Sequence, residues 1–168
     1  MKVIRNYLYN VGYQVLAIIV PLITSAYVSR VLRPEGVGAN AFTNSIIQYF
    51  ILFASMGIGY YGNRQIAYVR DNRTKMAKTF WEIQIVKTIM TLVSIIAFEI
   101  FLIFYTRQFD YMLAQSLNLI AVAFDISWFY EGIENFKVTV LKNSLVKIVS
   151  MIAIFLFIKG PYDVTLYI

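Results

Sequence analysis

The sequence contains neither cysteine nor histidine. Without cysteine there is no disulfide framework and no thiolate metal site, and without histidine the commonest neutral metal ligand and general base is missing. Ordinary hydrolytic and zinc chemistry are disfavoured, and no catalytic residue, metal or other cofactor is expected. Charge is also scarce: charged residues make up 14% of the 168 positions, against 60% hydrophobic. With a mean hydropathy of +0.66, a water-soluble domain of this length has too little interior to bury its apolar side chains.

Those apolar residues fall into five long runs, Tyr7 to Ser29, Ala39 to Tyr61, Thr79 to Tyr105, Tyr111 to Tyr130 and Ser144 to Ile158, each bracketed by charged or turn-forming residues. A hydrocarbon core of roughly 30 Å needs about 20 apolar residues per helix. The runs are near that length, the last slightly short. The expected fold is all-α, a polytopic membrane helical bundle occupying residues 1–168 as a single transmembrane domain. Phe and Tyr, thirteen of each, crowd the proposed ends, where amphipathic rings favour the headgroup level.

The net charge of +6 does not point to nucleic acid, because the basic residues are spread among short loops. Lys2 and Arg5 precede the first run, Arg64, Arg70, Arg73, Lys75 and Lys78 fill the second connection, and Lys137, Lys142 and Lys147 mark the fourth. The other side carries fewer: Arg30 and Arg33, Arg107, and Lys159. Positive loops stay inside, so a multi-pass protein with a cytoplasmic N-terminus is expected. The first run contains Asn10 and Gln14 and lacks a small-residue cleavage site, so it reads as an uncleaved span, not a secretory signal. After the turn from Lys159 to Asp163 a new apolar run begins at Val164, which reads as the start of a sixth span belonging to a larger protein.

Polar residues recur within the runs at helical spacing. The stripes are Asn6, Asn10, Gln14, Ala17, Pro21 and Thr24 in the first run; Asn40, Asn44, Gln48, Ser55 and Gly59 in the second; Gln84, Lys87, Thr88, Thr91 and Ser94 in the third; Gln115, Asn118 and Asp125 in the fourth; and Asn143, Lys147 and Ser150 in the fifth. Each set either joins packed helices by hydrogen bonds or faces a shared aqueous groove. Lys87, Glu99 and Asp125 lie within apolar runs, where a charge costs at least ~2.5 kcal/mol unless paired or hydrated. Lys87 and Glu99 line a cavity or else snorkel to an interface, and Asp125 lines it or pairs with a cytoplasmic cation. Pro21 removes a helical hydrogen bond in mid-span. The glycines of Gly57-Ile58-Gly59-Tyr60-Tyr61-Gly62 permit close helix approach or loosen the end of the second run.

Three stretches carry a family likeness. Ser29-Arg30-Val31-Leu32-Arg33-Pro34-Glu35-Gly36-Val37-Gly38 with Phe42, then Gly57 to Ala67, then Asp125-Ile126-Ser127-Trp128-Phe129-Tyr130-Glu131-Gly132-Ile133-Glu134-Asn135-Phe136 resemble the N-terminal part of bacterial polysaccharide flippases of the Wzx type. That family shares a superfamily with multidrug and toxin extruders and lipid II flippases. The resemblance implies a two-lobe helical transporter in the bacterial plasma membrane, moving a lipid-linked oligosaccharide on a polyprenyl pyrophosphate carrier from the inner to the outer leaflet. This chain would supply the first lobe less its last helix. A second lobe or a polysaccharide polymerase would be the protein partner, alongside the bilayer itself. Arg33 departs from the pattern where a glycine is expected.

Candidate substrate-binding residues, chosen for helical face and chemistry, are Arg30, Asn44, Gln48, Lys87 and Asp125. Rival readings are a cation-coupled multidrug extruder, which needs a deep acidic residue that Glu99 or Asp125 would supply, and a membrane fragment without transport. A membrane transferase acting on polyprenyl phosphates would need clustered Asp or His in a cytoplasmic loop, and the second connection has only Asp71.

Overall fold

The computed structural model describes the backbone of residues 2–105 and 107–168, and side chains from Val11 onward except Tyr13 and Thr106. Asn6 and Asn10 of the first polar stripe have side chains outside the described residues. The described chain is helical: α1 (Lys2–Val31), α2 (Arg33–Ser55), α3 (Ile58–Val69), α4 (Arg73–Phe104), α5 (Phe109–Phe124), α6 (Ser127–Gly132), α7 (Phe136–Phe157) and α8 (Val164–Tyr167). Five stretches are long and apolar enough to cross a membrane: Gln14–Val31, Arg33–Val69, Arg73–Phe104, Phe109–Gly132 and Phe136–Phe157.

Three boundaries differ from the sequence reading. The second run breaks at Met56 and Gly57, whose φ angles are 34° and 70°. A left-handed residue cannot continue a right-handed helix, so α3 starts in a new direction. The fourth run breaks at Asp125 and Ile126. The fifth helix starts eight residues earlier than Ser144, because Lys137 and Lys142 interrupt the hydropathy but not the backbone hydrogen bonding, and long cationic side chains lie outward along an apolar helix.

The chain divides into two compact units, residues up to Gly38 with Asn135–Tyr167, and Ala39–Glu134. In the first, α1 packs on α7. Tyr27 ties them: its hydroxyl donates to the Ile158 carbonyl at 2.8 Å, and its ring centre lies 4.7 Å from that of Phe155. Pro21 sits inside α1, and the Thr24 hydroxyl donates to the carbonyl of Val20 at 2.9 Å and of Pro21 at 3.3 Å. The Asp163 carboxylate accepts the main-chain N–H groups of Lys159 and Gly160, each at 2.8 Å. These bonds hold its carboxyl below the usual range. The turn is therefore fully held above the ordinary carboxylate range and loosens as pH falls through the lowered value.

Arg33 begins α2 with φ 60°, the left-handed region that glycine enters at little steric cost. That geometry is a physical reason to expect glycine there. Pro34 and Glu35 follow in the first turn, where a missing N–H is harmless and a carboxylate complements the helix dipole. Arg33→Gly is expected to raise stability by about 0.5–1 kcal/mol, the left-handed penalty less the added freedom of the unfolded glycine. Thermal unfolding in detergent checks this, and a lower midpoint would contradict it.

In the second unit α2, α4 and α5 surround a core of Ile47, Ala54, Phe98, Leu102, Met112 and Leu119. A second cluster, Ile58, Ile66, Ile83 and Trp128, joins α3, α4 and α6. Helices α3 and α6 meet through glycines: a Cβ at Gly62 would lie 2.5 Å from Trp128 Cε3, and one at Gly132 would lie 2.8 Å from the Asn63 carbonyl oxygen. Close packing through small residues suits a membrane interior, where lipid competes equally for apolar surface. Both readings of the Gly57 to Gly62 stretch therefore apply, the break to Gly57 and the close approach to Gly62. Outside these clusters large apolar side chains such as Ile103 and Phe104 are exposed, as lipid-facing surface requires.

Candidate functional site

The polar stripe of α4 turns inward within the second unit. Lys87, Thr91 and Ser94 are buried, and Gln84 and Thr88 half-buried. Thr88 and Thr91 satisfy their hydroxyls on the carbonyls of Gln84 and Lys87, at 2.8 and 2.9 Å. Gln115, 1% exposed, anchors a second polar group. Its amide donates to Asn40 Oδ1 at 3.4 Å and Thr43 Oγ1 at 3.3 Å, and its Oε1 accepts Asn118 Nδ2 at 2.8 Å. These bonds tie α2 to α5 by amides and a hydroxyl where hydrocarbon would leave them unsatisfied.

Beside these groups lies a cavity of about 460 Å³, whose polar lining is Ser55, Lys87, Asn118, Asp125, Ser127 and Glu131, with Trp128 as an aromatic wall. Lys87 stands 17 residues from the end of α4 at Phe104, and Asp125 follows the 16 residues of α5. At 1.5 Å per residue both lie ~25 Å along their helices from the α4–α5 connection. That shared level explains how residues 38 apart in sequence meet: the Lys87 ammonium donates to the main-chain carbonyl of Asp125.

Asp125 also holds the corner between α5 and α6. Its Oδ1 accepts the Ser127 N–H at 3.2 Å and the Ser127 hydroxyl at 2.6 Å, a local bond that competes with helix continuation. Glu131 on α6 accepts from Asn63 of α3 at 3.4 Å, and beyond it Arg70 pairs with Glu134 at 2.5 Å. The Glu134 carboxylate raises the Arg70 guanidinium above its ordinary value. Among the described residues, the indole N–H of Trp128 and the Oε1 of Gln84 are buried without a hydrogen-bond partner.

Of the residues expected to bind substrate, Lys87 and Asp125 share this cavity. Asn44 and Gln48 are not among its lining: they lie exposed on α2 and bond to each other at 3.3 Å, Gln48 bordering an adjoining groove of about 350 Å³ that shares Ile51 and Ser55 with the cavity. Arg30 is exposed at the end of α1, in the other unit. Glu99 is exposed on α4, so a place in the cavity does not hold for it. Ser55 and Asn118 of the polar stripes also line it, and Ser127, Trp128 and Glu131 join them without having been named as candidates. Glu131 and Trp128 stood within the Asp125 to Phe136 stretch, which was the available signal.

The charges of the lining decide what it favours. Among the described residues it carries one ammonium and two carboxylates, Asp125 and Glu131. A pyrophosphate gains from Lys87 but meets like charge from both acids, whereas hydroxyls and cations meet acceptors on several sides.

The sequence profile of the polysaccharide biosynthesis protein family matches residues 3–168. The chain belongs to this family. Among curated proteins it is 24% identical over 165 residues to a protein of Escherichia coli (strain K12) named "Putative O-antigen transporter", covering 96% of this chain and 40% of that protein. It is 22% identical over 147 residues to a protein of the same name from Shigella dysenteriae, covering 86% and 37%. The chain thus spans about two-fifths of the length of these relatives. No solved structure matches it. Family membership and the five apolar helices together make it a multi-pass membrane protein, similar to curated proteins named as O-antigen transporters.

Proposed function

We propose that the chain is part of a transporter that carries a lipid-linked oligosaccharide from the inner to the outer leaflet during polysaccharide export, with its N-terminus in the cytoplasm of a bacterial cell. The observation that carries this reading is the polar cavity at Lys87 and Asp125, lined by stretches long and apolar enough to span a membrane, in a member of a polysaccharide biosynthesis family. The carrier's tail stays in lipid while its sugars require a hydrated path. Ser55, Asn118, Asp125 and Glu131 offer the hydroxyl, amide and carboxylate groups that bond sugar hydroxyls, and Trp128 offers an apolar face to a sugar ring. Lys87 supplies a single positive contact for the pyrophosphate. Rocking of this part against a second lobe would expose the cavity to each side in turn.

Cation coupling, the rival weighed for multidrug extruders, gains support from the two carboxylates and is compatible with glycolipid as the cargo. The test is made in a longer homologue carrying Lys87→Gln or Asp125→Asn at the matching positions, with protein level in the membrane equalised. Surface polymer is expected to fall about tenfold for Lys87→Gln, the loss of one charge-assisted contact. Wild-type polymer from both variants would remove this cavity from the transport path.

A further inference from the structure

The break at Asp125 and Ile126 lies inside the apolar stretch Phe109–Gly132. Interrupting a helix there frees main-chain carbonyls in a place where hydrocarbon offers no water. Two side chains of α4, three residues apart and so on one face, meet them. Gln84 Nε2 donates to the Ala123 carbonyl at 2.8 Å, and Lys87 donates to the Asp125 carbonyl. An ammonium at the carbonyl end of a helix sits at the negative pole of its dipole.

The cavity that this ammonium lines also holds hard oxygen donors. The same cavity presents the carboxylates of Asp125 and Glu131 and the hydroxyls of Ser55 and Ser127, and its lining holds more negative than positive groups. An unwound helix end with carbonyl, carboxylate and hydroxyl oxygens is the donor set that small monovalent cations accept. We propose that the α5–α6 corner is a monovalent-cation site filled by the chain's own Lys87 ammonium, which, beside any contact with cargo, holds the corner and with it Ser127, Trp128 and Glu131.

A tethered cation differs from a structural spacer in one measurable respect: removing it leaves a vacancy that a free cation of the right size occupies. An uncharged side chain of similar length fills the space without supplying the charge. The inference stands on this corner alone and holds whether or not the cargo is a glycolipid.

The chain is placed in phosphatidylcholine nanodiscs without glycolipid, and hydrogen exchange is followed by mass spectrometry over residues 125–133, with residues 94–104 as an internal reference. Wild type is expected to exchange equally in sodium and in N-methylglucamine. Lys87→Ala is expected to exchange about tenfold faster in N-methylglucamine, as befits loss of a hydrogen bond to a charged group, and to return toward wild type as sodium replaces it. Lys87→Met is expected to exchange fast in both. If the reference region of Lys87→Ala also exchanges freely, the variant has not folded and Lys87→Met decides. Wild-type protection in Lys87→Met would show packing at work and overturn the proposal, as would a folded Lys87→Ala indifferent to sodium.

Discussion

Gly132→Ala is expected to destabilise the unit that contains the cavity by about 1–3 kcal/mol, the usual cost of forcing a methyl group into a filled space. The added Cβ would stand 2.7 Å from Ile66 Cβ and 2.8 Å from the Asn63 carbonyl oxygen. The second of these is main chain of α3 and cannot rotate aside, so the two helices must separate. Gly62→Ala meets the same obstacle from the other side, 2.5 Å from Trp128 Cε3. That indole is 3% exposed and stacked on Phe80 with ring centres 5.5 Å apart, which leaves it little room to swing. Gly38→Ala is the control: nothing lies within 4 Å of the new methyl, and a helical Gly→Ala change stabilises by about 0.5–1 kcal/mol. Unfolding of the three variants in mixed detergent micelles measures the difference, and equal midpoints for Gly132→Ala and Gly38→Ala would refute close α3–α6 packing.

Phe98→Ala should have the largest effect of any single change in the α2–α4–α5 core. The ring is fully buried, its centre 5.1 Å from Phe50 in an edge-on contact and 6.3 Å from Phe101. In soluble cores Phe→Ala costs about 3–5 kcal/mol from lost transfer energy and an unfilled cavity together. Within a bilayer the transfer part shrinks, because lipid is as apolar as the helix interface, whereas lost dispersion contacts and the cavity remain. A cost near the low end, about 3 kcal/mol, is therefore expected. Ile103, 72% exposed on the same helix, tests the argument: Ile103→Ala exchanges side-chain contacts for lipid contacts and should change stability by less than about 0.5 kcal/mol. Similar losses at positions 98 and 103 would mean that Phe98 does not face the core.

The polar stripe of α4 was legible in the sequence because Gln84, Lys87, Thr91 and Ser94 recur every three or four residues on an otherwise apolar helix, and all of them turn inward. The same periodicity put Asn44 and Gln48 on one face, and that face is exposed rather than turned into the cavity. Spacing tells which residues share a face, not which neighbour covers it, and these two share an exposed face while Thr43, one position away, is buried. The break at Asp125 was missed because neither proline nor glycine marks it. Its signal was subtler, an Asp two residues before a Ser, a pair able to close a local turn.

Sequence by itself determined that this protein lives in a bilayer, how many apolar helices it has, and that several carry polar stripes, since hydropathy and helical period are properties of neighbouring residues. Tertiary structure alone decided which stripes line a cavity and how a lysine comes to hold a broken helix. Those outcomes depend on partners 38 positions apart for Lys87 with Asp125 and 75 apart for Gln115 with Asn40. Separations of that size leave no local trace, because only the packing of helices determines which distant groups satisfy one another away from water.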